Sequence, residues 1–296
     1  MKLSRKIGKV FNSRYCFVFL NGFLLASIVH FYNEDSYEKG LFESLAENVR
    51  SKSIGKTPYD EAILLNSLHL THYLGERRSI VFRDKEVHSF KAAVVHPVTY
   101  DLMTTSGACG SFAYILSRLL NELKIPNRIA QMKVDGIYAG HNVVEAKTSK
   151  GWVVLDGLNN LYFKKADGNL ASFSDVQHNW NFYSSQVPAN YDHKYKYEGV
   201  RYTNWNKVPV LMPAIKGILS ATLGKEKTEH LSLRTFFLRK FHILLEVAAC
   251  LYVILLFLSI RNFMRRNPQK IKNYLSSFIT SKKALVMPVN EKKASA

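Results

Sequence analysis

The chain has 296 residues, 47% of them apolar, and a formal net charge of +18; it is long enough to bury a real core in one or two domains. Five Lys or Arg and no acid lie in residues 1–14, and nine Lys or Arg with one Glu lie in residues 261–296, so the two ends contribute +5 and +8 of that charge. Each end abuts an apolar segment, the pattern by which membrane proteins mark their cytoplasmic side, so the basicity points to a lipid bilayer as partner and away from nucleic acid.

Taken in order, Tyr15 to Tyr32 is an apolar run without Asp, Glu, Lys or Arg, just long enough to span a bilayer. Basic residues precede it and Glu34 and Asp35 follow, which orients the N-terminus inward. No small-x-small cleavage site precedes His30-Phe31-Tyr32, so an uncleaved anchor is expected. Leu41, Phe42, Leu45 and Val49 mark one face of a first soluble helix. A polar break at 51–56 separates it from a second, with Thr57 as N-cap, Pro58 at the first helical position and an end near Tyr73–Gly75. His69, His72 and Glu76 share one helical neighbourhood that has the makings of a metal site, although an ordinary exposed helix face is the expected reading. Ile80–Phe82 and Ala92–Val95 read as short strands or loop cores, with His88 and His96 beside them.

The centre of the chain is Gly107-Ala108-Cys109-Gly110-Ser111-Phe112-Ala113. Ala113, Leu116, Leu119, Leu120 and Leu123 then repeat at helical spacing, which places Cys109 at a helix N-terminus. Unpaired N–H groups and the helix dipole there favour a thiolate. Arg128–Val134, Ile137–Ala146 and Trp152–Leu155 read as three strands, with Asp135-Gly136 as a hairpin turn. On them lie His141 and Asp156, which should sit on adjacent strands opposite the helix start. A thiol, an imidazole to take and return its proton, and a carboxylate to orient the imidazole suit nucleophilic acyl chemistry. Cys16 and Cys250 lie inside the apolar segments, so Cys109 is the only thiol between them and no disulfide forms there.

Residues 160–207 are rich in aromatics, among them Tyr162, Phe163, Trp180, Tyr191, Tyr195 and Trp205. Most are expected to pack over the core, with one or two lining a cleft. Val208–Leu223 is apolar but carries Pro209, Pro213 and Lys216, so a membrane-hugging or buried helix is expected. Residues 241–260 form a second span, in which Glu246 is expected to snorkel or to pair with His242 at i,i+4. Arg261, Arg265 and Arg266 stop it on the cytoplasmic side, and a short amphipathic helix at 271–279 is expected to lie on anionic lipid.

The stretch from Gly107 to Asp156 resembles the transglutaminase-like superfamily, a papain-like group of Cys-His-Asp enzymes. Its cysteine motif is seen in Gly107, Cys109, Ala113 and the turn Ile125-Pro126-Asn127-Arg128; its His-x-x-x-Glu motif in His141 and Glu145; its Trp-x-x-x-Asp motif in Trp152 and Asp156. Gly157 stands where proline is usual, and Val143 where an aromatic residue often follows the histidine. The resemblance implies an α+β fold in which a helix bearing Cys109 packs on an antiparallel sheet, flanked here by two transmembrane helices. It implies Cys109 as nucleophile, His141 as base and acid, Asp156 as orienter, and no cofactor or metal.

The organisation expected is a basic cytoplasmic N-terminus (1–14), a first span (15–32), an extracytoplasmic domain (33–238), a second span (241–260) and a basic cytoplasmic tail (261–296). The domain divides into a core at about 100–165, an aromatic-rich extension (166–207) and a membrane-proximal segment (208–238). The activity expected is hydrolysis or transfer of an acyl group from an amide- or ester-bearing peptide, protein or other envelope substrate, near a membrane or envelope protein partner. The alternative is an inactive module that binds peptide or glycan and assists cell-surface polysaccharide assembly.

Overall fold

Helices cover a five-stranded antiparallel sheet in a computed structural model that describes residues 14–76, 98–102, 108–237, 240–269 and 276. The runs expected at 80–82 and 92–95, His88, His96, Gly107, nearly all of the basic N-terminus and all but Ser276 of the tail helix lie outside the described residues. The chain divides into two compact units. One holds the residues up to Phe31 and those from Leu244 onward; the other is Tyr32–Ile243.

Helix α1 (Arg14–Ser53) corrects the sequence reading, which has a span followed by a separate helix. Residues 33–39 contain neither Pro nor Gly, and Gly40 alone costs only about 1 kcal/mol in a helix, so nothing stops the first helix before the second begins. Helix α2 (Tyr59–Glu76) starts one residue after Pro58 and runs through Gly75 to Glu76, again past the expected stop. Then come α3 (Val98–Asp101) and α4 (Ala108–Glu122).

Helix α4 is the centre of the second unit. Ile115 and Leu119 pack with Phe42, Ala46, Val49 and Val98, whereas Ala113, Leu116 and Leu120 pack with Leu64 and Leu68 of α2 and with sheet residues Ile129, Val144, Ala146, Val153 and Leu155. Apolar residues of the helix therefore face both α1 and the sheet. Among its polar residues, Arg118 donates to Glu38 on α1 at 2.8 Å and to Glu122 at 3.0 Å.

The sheet has the order β4-β3-β2-β1-β5, from β1 (Asn127–Val134), β2 (Ile137–Thr148), β3 (Gly151–Asp156), β4 (Leu161–Tyr162) and β5 (Val200–Arg201). Asp135 and Gly136 join β1 to β2 with φ of 48° and 81°, the left-handed pair that a two-residue hairpin turn requires. One face meets α2 and α4. The other carries Ala130, Met132, Val143 and Val154 against Phe163, Phe173, Tyr183, Tyr191, Tyr197 and Tyr202. The aromatic-rich stretch is thus a second core layer, held in part by α5 (Phe173–His178), whose Ser172 and Asp175 form a capping box, and by α6 (Trp180–Tyr183).

Helix α7 (Leu211–Leu223) has no buried residue, so of the two readings for this segment the buried one is excluded. Its Lys216 pairs at 2.6 Å with Glu229 of α8 (Lys225–Glu229). After α9 (Leu233–Phe237) comes α10 (Phe241–Arg266). Helices α1 and α10 are long and apolar enough to cross a membrane, and in the first unit Asn21 Nδ2 donates to Ser259 Oγ between them at 3.3 Å. His242 pairs with Asp35 at 3.9 Å rather than with Glu246.

Candidate active site

Cys109 is the second residue of α4 and half-buried. It lies in the first turn, where N–H groups lack intrahelical acceptors. His141 is on β2 and Asp156 closes β3. The structure brings all three predicted residues together.

The best-defined contact joins the imidazole to the carboxylate. His141 Nε2 lies 2.7 Å from Asp156 Oδ2, and neither side chain is exposed to solvent. Asp156 also accepts from Asn159 Nδ2 at 2.8 Å and from the backbone N–H groups of Leu158 and Asn159 at 3.1 and 3.3 Å. Burial pushes this carboxyl up, but the charge and hydrogen bond of His141, together with those of Asn159, hold it below the ordinary carboxylate range. Burial pushes His141 down, and Asp156 overrides it, raising the imidazole to about 10.

The other ring nitrogen, Nδ1, is buried and makes no aligned hydrogen bond. The Cys109 thiol is close enough to the ring for each group to shift the other. Burial pushes the thiol up; His141 and the Asn142 amide outweigh that, and the net shift is downward. An anionic thiol beside a cationic imidazole is the favoured pair.

Local backbone irregularity aims these groups. The β1–β2 register slips after Met132↔His141 to Lys133↔Tyr138, leaving Ala139 and Gly140 as an unpaired bulge immediately before His141. Ala139 has φ of 76°. A Cβ on Gly140 would sit 2.6 Å from the Val134 Cβ, so glycine is required. Asn142, one residue on, sends Nδ2 to within 3.4 Å of Cys109 Sγ. Its own Oδ1 accepts from Arg234 Nη1 at 3.4 Å. Two consecutive strand residues thus serve one sulfur, although their side chains start on opposite faces of the strand.

Tyr195 closes the other side. Its ring stacks on His141 with centroids 4.2 Å apart and planes at 15°, and its carbonyl accepts from the Tyr191 hydroxyl at 3.0 Å. Gly157 occupies a tight place: a Cβ there would lie 3.1 Å from the Phe112 Cβ, and its carbonyl meets His72 Nδ1 at 3.2 Å. His69 Nδ1 is bound to Asn160 Oδ1 at 2.7 Å. These two histidines tie α2 to the loop after Asp156, and among the described residues no three His, Cys, Asp or Glu side chains form a metal-binding group.

The remaining motif residues meet away from the triad. Glu145 Oε2 accepts from Arg128 Nε at 2.9 Å and from the Tyr202 hydroxyl at 2.5 Å. The Arg128 guanidinium lies between the rings of Trp152 and Tyr202, 4.3 and 4.1 Å from their centroids. Two cavities, of about 530 and 930 Å³, border this cluster, and no triad residue lines either.

Asn142, Asn159 and Arg234 escaped the sequence reading, and Tyr195 is one of several aromatics of which one or two are expected to line a cleft. Asn142 adjoins His141 in the chain, but strand alternation starts its side chain on the opposite face. Asn159 follows Asp156 by three residues, a spacing at which a side-chain amide can return to a carboxylate. Tyr195 and Arg234 lie 54 and 93 residues beyond His141, and no local signal marks either. Compared with protein-family models, with curated proteins and with solved structures, the chain matches none.

Proposed function

We propose that the chain is a membrane-anchored thiol enzyme with a papain-like, transglutaminase-like core. It acts on an amide or ester at the cell envelope through an acyl-enzyme on Cys109. The observation that carries this reading is the buried His141, clamped to Asp156 at 2.7 Å through Nε2 while Nδ1 has no aligned hydrogen bond and the Cys109 thiol lies close to the ring. A merely structural histidine would have both nitrogens satisfied.

In the proposed cycle the Cys109 thiolate attacks the carbonyl carbon, and the carbonyl π electrons move to oxygen. The Cys109 N–H and the Asn142 amide hold that oxyanion. As the tetrahedral intermediate collapses, the bond to the leaving group breaks, and His141 Nδ1 gives its proton to the departing amine or alkoxide. Water or an amine then attacks the thioester, passes a proton to Nδ1, and releases Cys109. Asp156 keeps the ring oriented and stabilises its charge throughout. On the positive-inside distribution of Lys and Arg, the domain between the spans faces away from the cytoplasm.

The test is acylation of the full chain in detergent by p-nitrophenyl acetate. An acetyl thioester should form at Cys109, located by peptide mass, and should fall by at least about 10²-fold in His141→Ala. Modification at Cys109 that is indifferent to His141 would overturn the mechanism.

A further inference from the structure

Next to the sulfur, Asn142 leads into a row of polar groups of which the acyl chemistry uses only that amide. Asn142 on β2 pairs in register with Gln131 on β1, and Gln131 pairs with Arg201 on β5. Gln131 and Asn142 are buried. Arg201 Nε donates to Gln131 Oε1 at 2.9 Å, and Arg234 donates to Asn142 Oδ1 at 3.4 Å. Both guanidiniums are therefore anchored on neutral amide oxygens. Neither has a carboxylate partner among the described residues, whereas Arg118 has two and Arg128 one. Their two amide anchors pair in register across β1 and β2, which brings both guanidiniums to the same part of the sheet; burial first, then the charge of Arg234, pulls the pKa of Arg201 down. The guanidinium of Arg201 further rests on the Tyr138 ring, 5.1 Å from its centroid.

Like charges side by side repel, and each planar fork has more donors than these single amide oxygens can use. An oxyanion group placed against both would relieve the repulsion and take up those donors. That place is connected to the nucleophile through one amide, since Asn142 touches Arg234 with one end and Cys109 Sγ with the other.

We propose that Arg201 and Arg234 form an anion subsite beside Cys109, and that the acyl donor carries a carboxylate or phosphate close to its scissile carbonyl. This deepens the proposed function and rests on Cys109 being its nucleophile. The subsite excludes donors that put a second cation there and favours those with a negative group on the acyl side.

Two alkylating agents that differ mainly in charge test it. Iodoacetate and iodoacetamide both form the S–CH₂ bond at Cys109 with loss of iodide, one as an anion and the other neutral. Labelling of the full chain is followed by peptide mass at Cys109, so that Cys16 and Cys250 do not interfere. The readout is the ratio of the two rates, because removing a cation also changes the thiolate fraction and affects both reagents alike. The iodoacetate-to-iodoacetamide ratio should fall by roughly tenfold in Arg201→Gln/Arg234→Gln, the worth of one charge-assisted hydrogen bond. Arg201→Gln alone, on a two-residue edge strand, should show part of the effect if the double variant fails to fold. Protection from iodoacetamide by acetate assigns the subsite to carboxylate, and protection by inorganic phosphate assigns it to phosphate. An unchanged ratio in the variants, with protection by neither anion, overturns the subsite. Slow reaction with both reagents at neutral pH, indifferent to His141→Ala, instead overturns the nucleophile itself.

Discussion

Asn142 has two partners, and together they define its orientation. Arg234 can only donate, so Oδ1 faces it and Nδ2 is turned to the sulfur. That N–H stabilises the thiolate before reaction, and in the proposed cycle it also donates to the oxyanion. Asn142→Ala should therefore raise the midpoint of Cys109 alkylation with pH and lower kcat by about 10²-fold, the usual worth of one oxyanion donor. A variant that shifts the midpoint and leaves kcat intact would confine Asn142 to tuning the thiol. The pH window follows from the two shifts. Cys109 is depressed, so its thiolate is lost as pH falls through that lowered value. His141 is raised from 6.5 to about 10, so its proton is lost as pH rises through about 10. Activity should peak between these limits. For stability, the His141 contribution is fully present below its ordinary 6.5 and lost as pH rises through about 10, whereas that of Asp156 is present above its ordinary 3.8 and lost as pH falls through its lowered value.

At the scale of elements, the triad depends on β2 and β3 keeping their places, and the Arg128–Glu145 pair helps hold them. Both side chains are largely shielded, at 14% and 3% exposure, and Arg128 is enclosed by Trp152 of β3 and Tyr202 after β5. Glu145→Ala leaves a guanidinium confined between two rings without its anion and should destabilise the second unit by about 3 kcal/mol, read by urea denaturation of the full chain. Where the variant is folded, Cys109 labelling should still depend on His141; losing that dependence in folded protein would give Glu145 a direct part in the site. The same elements show what a sequence can reveal. The three long strands, the Asp135-Gly136 turn and the adjacency of His141 and Asp156 were legible because period-two patterning and turn chemistry are local. The Ala139–Gly140 bulge was not, because the need for glycine at 140 comes from Val134 across the hairpin. The continuity of α1 was missed because two apolar patterns of different width share one unbroken helix. Tyr195 was one aromatic among many until the sheet face it covers was known.

For the whole molecule, the charge distribution and the single thiol bear on one question: if α1 and α10 cross a membrane, which side holds the domain. Cys109 is the only cysteine between the apolar segments. In an oxidising compartment it therefore has no partner in that domain with which to close a disulfide, and its reactivity is preserved. The basic ends should both remain in the cytoplasm, since Lys and Arg near a span resist translocation. The prediction is made for a chain with Cys16→Ser, Cys109→Ala and Cys250→Ser, carrying one new cysteine at a time. Ser185→Cys, on an exposed turn of the domain, should react with a membrane-impermeant maleimide on intact cells. Ser4→Cys and Ser281→Cys, one in each basic end, should react only after permeabilisation. Labelling of the two ends without the domain would invert the orientation, put the thiol in a reducing compartment and sink the proposal of an envelope substrate. Labelling of the domain and one end would mean that one apolar helix does not cross. Protection of both ends with exposure of the domain leaves a two-span anchor holding the thiol at the outer face, where an amide- or ester-bearing envelope substrate would meet it.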